Sequence, residues 1–230
     1  MPPGRRQFWL ILPAMHHIIE TGDGSHSLLV PGWNVTYHSR FGAVAESRHV
    51  FIESGLKHIL LRRPLAISVL EMGFGTGLNA LLTLIETQLL PVRVHYEALE
   101  TEPLEPSISS ALNYCAALNR PEMQALFNEL HESAWNLPQI VSTGFELFKR
   151  REDITDVSFR NRYDLVYFDA FDPATQPGVW TQKIFKKIFD VMNDNAVLVT
   201  YCSKGSVRRA MQDAGLIVEK LAGPKGKREI

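Results

Sequence analysis

Apolar and polar positions change period repeatedly along this 230-residue chain, and each change marks an element. Ala66-Ile67-Ser68-Val69-Leu70 is a short, β-branched run of the kind that forms a buried strand. After a glycine-rich turn, Leu78, Leu81, Leu82, Ile85 and Leu89 recur at i, i+3, i+4, i+7 and i+11, which predicts a helix with one buried face. Val92 to Glu100 reads as a second strand, Phe145 to Phe148 as a third, Tyr163 to Asp169 as a fourth and Ala196 to Tyr201 as a fifth. Leu104 to Leu130 is polar and helical, with breaks expected at Pro106 and Pro121, and Thr181 to Met192 reads as a further helix. In Ser206 to Ala214, residues Val207, Ala210, Met211 and Ala214 share a helical face and Gly215 follows as C-cap. Leu216 to Leu221 is expected to be a last strand. Strands alternating with helices predict an α/β fold around a mainly parallel sheet.

Upstream, Ser27 to His38 reads as two short strands around the Pro31-Gly32 turn. His49 to Leu61 follows as a helix burying Val50, Ile52, Leu56, Ile59 and Leu60. The expected division is an N-terminal extension over residues 1–62, a hairpin plus helix packed on the core, and one α/β domain over 63–230. Arg5-Arg6 and the apolar stretch Phe8 to Ala14 look superficially like a secretion signal. The stretch is short, contains Pro13 and lacks a small-x-small cleavage site, so export is not expected.

The turn after the first α/β strand carries the most chemistry. Gly73-Phe74-Gly75-Thr76-Gly77 sets three alternate glycines between a buried strand and a helix. Such a turn bends tightly, lets a ligand approach the backbone, and aims helix N-terminal amides at it. A dinucleotide fingerprint needs its third glycine three positions after the second, where this chain has Leu78. The G-x-G-x-G form, preceded by Glu71 and followed by Asn79, instead resembles the first motif of class I S-adenosylmethionine-dependent methyltransferases. Glu100 closes the second strand 23 residues after Gly77, where a carboxylate can accept both ribose hydroxyls of an adenosine. Either signal alone is weak, since a Gly-rich turn also makes an ordinary βα connection. Their spacing is what points to a nucleotide cofactor.

Composition adds limits. With 45% apolar and 21% charged residues the chain falls among soluble globular proteins, and no apolar run approaches the roughly 20 residues needed to span a bilayer. Two cysteines offer neither a disulfide framework nor a metal cluster, and the eight histidines show no ligand-type spacing, so no metal is expected and a reducing, cytoplasmic setting is. Net charge is −1 but unevenly spread. Residues 97–132 carry seven acids against Arg120 alone, and residues 201–230 carry seven bases against three acids. The basic end is a candidate footprint for a phosphate-rich partner, or else a solvated tail.

Asp169-Ala170-Phe171-Asp172-Pro173 emerges at the carboxyl end of the fourth strand, the sheet edge where α/β proteins bind ligands. A carboxylate there can orient an amine nucleophile and help remove its proton, while positioning within about 3–3.5 Å supplies most of the acceleration. Of Glu152-Asp153 after the third strand, Asp153 is the candidate for the adenine amino group, although Lys149-Arg150-Arg151 makes a surface charge cluster an equal alternative. Phe171 and Trp180 could stack on a planar base or sit in the core.

Taken in order, Phe74-Gly75-Thr76-Gly77-Leu78-Asn79, Asp169-Ala170-Phe171-Asp172-Pro173 with Pro177 and Trp180-Thr181, Val207-Arg208-Arg209, and Gly223-Pro224-Lys225-Gly226-Lys227-Arg228-Glu229 resemble one family. It is the methyltransferase half of the bifunctional tRNA 5-methylaminomethyl-2-thiouridine biosynthesis proteins, with its stand-alone relatives. Asp23-Gly24-Ser25, Tyr37-His38-Ser39, Gly42-Ala43 and His49-Val50-Phe51-Ile52 resemble its N-terminal block, so the likeness covers roughly residues 21–230. It implies a Rossmann-like class I methyltransferase with helices on both sheet faces, using S-adenosylmethionine to methylate the amine of 5-aminomethyl(-2-thio)uridine at the tRNA wobble position.

By that resemblance Glu71, Gly73, Phe74, Gly75, Thr76, Gly77 and Asn79 form the cofactor loop, with Glu100 on the ribose and Asp153 near adenine. Asp169 lies between methyl donor and amine. Phe171, Pro173, Trp180, Lys204, Arg208, Lys225, Lys227 and Arg228 face the tRNA. The flavin oxidase domain of the bifunctional proteins has no counterpart in this sequence, so the expected reaction is methyl transfer alone, with the aminomethyl group supplied by a separate enzyme. Asp172 stands where the family motif often has a small residue. It could raise the pKa of Asp169 or face solvent. Two other readings stand beside this one: a polyamine synthase-like enzyme of the same fold, and a catalytically silent tRNA-binding protein.

Overall fold

The computed structural model describes residues 16–30 and 32–230, so the apolar lead-in and Pro31 lie outside the described residues. Six strands form the central sheet: β4 (Ala66–Met72), β5 (Arg93–Leu99), β6 (Gln139–Ser142), β7 (Phe145–Arg150), β8 (Tyr163–Phe168) and β9 (Met192–Val199). Their order is β6-β7-β5-β4-β8-β9, parallel throughout except for β6 against β7. A separate antiparallel sheet joins β1 (His17–Glu20), β2 (His26–Val30) and β3 (Val35–Thr36). The predicted α/β architecture is therefore present, and the strand order reverses direction on either side of β4.

Alternation along the strands sorts their side chains onto two apolar clusters. Ile67, Val69, Tyr96, Leu165 and Tyr167 meet the helix α3 (Leu78–Thr87) and the segment upstream of β4. Leu70, Met72, Val166 and Phe168 meet α7 (Gln182–Phe189) and α8 (Gly205–Asp213) through Ile184, Phe185, Val207 and Met211. The same alternation carries Glu71 and Asp169 to the α3 face.

Several expectations change. The upstream helix starts earlier than His49: α1 (Ala43–Ser47) runs into a π-helical stretch (Arg48–Leu56) and then α2 (Lys57–Leu60). Wide turns fit the sequence, because Val50, Phe51 and Ile52 are all buried and Gly55 presses on β9, where a Cβ would lie 3.0 Å from Val199. Leu89 is 89% exposed, since α3 ends at Thr87 and the chain turns there. Pro106 and Pro121 begin helical turns, α4 (Pro106–Ser109) and a 3₁₀ turn (Pro121–Met123), where the missing N–H costs nothing. The latter leads into α6 (Gln124–Glu132), after α5 (Tyr114–Ala117).

The expected strand over 216–221 does not form. Leu216 and Val218 pack on the second apolar cluster, which satisfies the alternation without a hydrogen-bonded neighbour. The tail is pinned elsewhere, by Leu221 and Ile230 exchanging backbone hydrogen bonds of 3.1 and 3.0 Å. Neither β1 nor the edge strand β6 was legible in the sequence. In β6 exposed Ile140 breaks the apolar alternation.

Candidate active site

The glycine loop and Asp169 meet because β4 and β8 are parallel neighbours with Met72 opposite Phe168. The Asp169 amide donates to the Met72 carbonyl at 3.1 Å. Gly73 has φ +89°, and a Cβ on it would come within 3.0 Å of the Asp169 carbonyl oxygen. Gly77, at φ +71°, enters α3 with no side-chain cap. The first-turn amides of α3 are thus left for a ligand.

Asn79, one residue into α3, donates Nδ2 to Asp169 Oδ2 at 2.8 Å and to Glu71 Oε1 at 3.0 Å. Glu71 Oε2 and Asn79 Oδ1 are buried without a partner. Burial and then the nearby Asp169 carboxylate push the Glu71 carboxyl well above the usual range. Burial, then the charge of Glu46, raise Asp169 to about 7, against the hydrogen bond from Asn79. Glu100 accepts from the amides of Gly75 (2.9 Å), Thr101 (2.8 Å) and Glu102 (2.9 Å), and burial raises its pKa despite them.

These groups line a cavity of roughly 1260 Å³ at the carboxyl edge of the sheet. That exceeds the 300–1,000 Å³ or so of a site for one small ligand. Of the residues singled out by the sequence, Gly73, Phe74, Gly75, Thr76, Asn79, Glu100, Asp153, Asp169, Phe171 and Lys227 border it. Glu71 and Gly77 lie behind the loop that they shape. Glu152 is held in an ion pair with Arg150 at 2.9 Å, while Asp153 accepts from the Thr155 amide at 2.7 Å and lines the cavity.

Trp180 is not a pocket wall. It is buried among Phe168, Phe185 and Tyr201, and its indole donates to the Phe171 carbonyl at 2.7 Å, fixing the loop from below. Pro173, Lys204, Arg208, Lys225 and Arg228 also lie off the main cavity. Lys204 and Arg228 border a small adjoining cleft instead. Asp172 is bound at both oxygens by Lys204 at 2.8 Å; burial works to raise its pKa, but Lys204, the Ala174 amide and the charge of Lys227 together hold it below the usual value. Its charge is spent on Lys204, and the acid that perturbs Asp169 is Glu46.

Glu46 is one of the cavity residues that sequence reasoning missed. It is a buried carboxylate that accepts from the Ser39 amide at 2.8 Å and pairs with Lys227 at 2.7 Å. Its only sequence signal is a single acid in the otherwise small and apolar Ala43-Val44-Ala45 turn. His38 and Tyr37 were also missed as site residues. His38 contacts Thr76 Oγ1 at 2.7 Å, and burial lowers it to about 4, so it is neutral. Tyr37 makes a T-shaped contact with Phe171 at 5.0 Å, and Trp33, 55% exposed, makes another at 5.8 Å.

The loop fits S-adenosylmethionine. Positive-φ glycines let the loop press against Asp169, Tyr37 and His131 where side chains would clash, and the unpartnered polar atoms Glu71 Oε2 and Asn79 Oδ1 are buried beside it. Among the described residues no group of three or more His, Cys, Asp and Glu comes together as a metal site. No helix among them is long and apolar enough to cross a membrane.

Comparison with known proteins agrees with this geometry. The sequence profile of an S-adenosyl-L-methionine-dependent methyltransferase family matches residues 145–230. The chain is 30% identical over 233 residues to the tRNA 5-methylaminomethyl-2-thiouridine biosynthesis bifunctional protein MnmC of Burkholderia thailandensis, covering 95% of this chain and 34% of that protein. Its Burkholderia mallei counterpart gives the same identity, with 35% of its length covered. The chain thus spans about a third of the length of these curated relatives. The crystal structure of MnmC2 from Aquifex aeolicus superposes with a TM-score of 0.75 at 24% identity, over 95% of this chain and 70% of that one. The fold is that of a class I S-adenosylmethionine-dependent methyltransferase, and the resemblance to MnmC read from the sequence is borne out.

Proposed function

We propose that this MnmC-like chain methylates the primary amine of 5-aminomethyl(-2-thio)uridine at the wobble position of tRNA, giving the 5-methylaminomethyl base. The observation that carries the reading is Asp169. It is held against the glycine loop, raised to about 7, and faces a cavity with room for a cofactor and a nucleoside together.

When bound, S-adenosylmethionine supplies an electrophilic methyl whose bond to sulfur breaks, leaving the electron pair on sulfur, as the amine nitrogen bonds to carbon. The amine needs a free lone pair for this. A carboxylate near neutral pKa is matched to accept its proton at physiological pH. Asn79 orients that carboxylate through the 2.8 Å hydrogen bond, and Glu100 with Asp153 are assigned to ribose and adenine. Phe171, in T-shaped contact with Tyr37 and Trp33, offers a ring for the uracil. Exposed Lys204, Lys225 and Arg228, with half-buried Arg208, are assigned to phosphates. Lys227 turns inward to Glu46 and is not among them. A cytoplasmic setting and a separate source of the aminomethyl group belong to the same reading.

The test is incubation with methyl-labelled S-adenosylmethionine and either tRNA bearing the aminomethyl base or putrescine-type amines. Label in the wobble nucleoside is expected. Label in small amines alone overturns the assignment in favour of a polyamine-type enzyme. Affinity for tRNA without affinity for S-adenosylhomocysteine overturns it in favour of a silent binding protein.

A further inference from the structure

Lys227 comes from the tail and Glu46 from α1, 181 residues apart, yet Nζ and Oε1 meet at 2.7 Å inside the cavity. The ammonium also lies 4.4 Å from the centroid of the Tyr201 ring. That ring is fixed by its hydroxyl, which donates to the Ala170 carbonyl at 2.8 Å, one residue beyond Asp169. A carboxylate on one side, an aromatic face on another and the reactive edge of the sheet alongside form a seat for a primary alkylammonium. Lys227 presents that same chemical group, an R–CH₂–NH₃⁺. A lysine that served only to bind phosphate would gain nothing from being half-buried against an acid.

We propose that Glu46 and Tyr201 form the recognition seat for the substrate's aminomethyl group, and that Lys227 occupies this seat in the free protein as a tethered stand-in. This assignment rests on the reading of the substrate as a primary alkylamine. The incoming ammonium displaces Lys227 from Glu46, and the freed lysine swings outward with the Gly223–Glu229 loop. The seat selects against uridines without the amine, because these leave Lys227 and Glu46 paired. Glu46 also keeps a hydrogen bond to the Ser39 amide, so its carboxylate stays in place through the exchange.

The experiment titrates the S-adenosylhomocysteine-loaded protein with 5-aminomethyluridine nucleoside and, in parallel, with uridine, following heat release. Variants are Lys227→Met, Lys227→Arg, Glu46→Gln and Glu46→Asp. For the aminomethyl nucleoside, K227M is expected to bind several-fold tighter and K227R like the native protein. E46Q is expected to bind roughly ten- to a hundredfold more weakly, the range for losing a hydrogen bond to a charged group, with partial recovery in E46D. Uridine affinity is expected to move in none of them, and S-adenosylhomocysteine affinity reports that each variant is folded. Weaker amine binding in K227M, equal shifts for both nucleosides, or no amine binding in either the native protein or K227M overturns the proposal. Absence of label in tRNA would remove the proposed function without touching these affinities, so the two ideas fail separately.

Discussion

Replacing Glu71 by glutamine tests the electrostatic core of the site. Glu71 is fully buried, one oxygen accepts from Asn79, and the other has no partner. Its folded pKa is raised well above the ordinary 4.5, so the folded state holds a proton that the unfolded chain has released. The sign is then fixed: between 4.5 and the folded pKa, native protein binds more protons than unfolded protein, and stability falls as pH rises. The slope approaches about 1.4 kcal/mol per pH unit wherever the folded group stays protonated and the unfolded one does not. A glutamine side chain matches the neutral acid in shape and does not titrate, so this loss is absent from the variant. Urea unfolding of the ligand-free proteins at pH 5, 6 and 7 should show E71Q gaining on the native protein as pH rises, by up to about that amount per pH unit. For a chain of this size that slope corresponds to roughly 3–6 °C in Tm per pH unit. His38 and His131 titrate in both proteins and cancel in the difference, whereas Asp169 is coupled to Glu71 and its titration shifts with the substitution. Parallel profiles for the two proteins over this range would refute the reasoning, whatever their absolute stabilities.

Three further outcomes are expected. Asp169→Asn should lower methyl transfer by about 10²–10⁴-fold while S-adenosylhomocysteine affinity, by calorimetry, changes only a few-fold; equal losses in both would count against a proton acceptor. Gly77→Ala places a Cβ 2.9 Å from His131 Nε2 at φ +71°, costing about 1–2 kcal/mol for the left-handed backbone alone, and an unchanged melting temperature would contradict this. Burial holds neutral His38 at about 4, so its contribution to stability should fall by about 2 kcal/mol as pH drops from 6.5 to 4.5, and His38→Gln should remove that part of the urea-midpoint profile.

The parts of the site legible in the sequence are those built by local chain geometry. A strand, a turn and a helix declare themselves through changes of period, so the Gly73–Gly77 loop, Glu100 and Asp169 could be placed at one edge of one sheet. Glu46 and its pairing with Lys227 could not, because nothing local in either residue states that a contact will close across 181 positions. For Trp180 the sequence leaves pocket wall and core both open. The structure puts it in the core on the second sheet face, where the indole N–H finds a backbone acceptor. The missing 216–221 strand has the same physical origin, since alternating burial reports which side chains turn inward and not whether a neighbouring backbone is present.

The wide turns between Arg48 and Leu56 have a consequence for how the pocket could change. An α-helical residue advances about 100° around the axis, so turns closing five residues back rather than four rotate the upstream half of the helix relative to the downstream half. That angular offset aims Glu46 at the cavity while Val50 to Ile52 still face the sheet. Loss of one residue within 48–56 would reset the phase and swing the carboxylate off its target with every pocket residue unaltered. Ligand preference in this architecture can therefore drift through the length of a buried helix, at a distance from any residue the ligand meets.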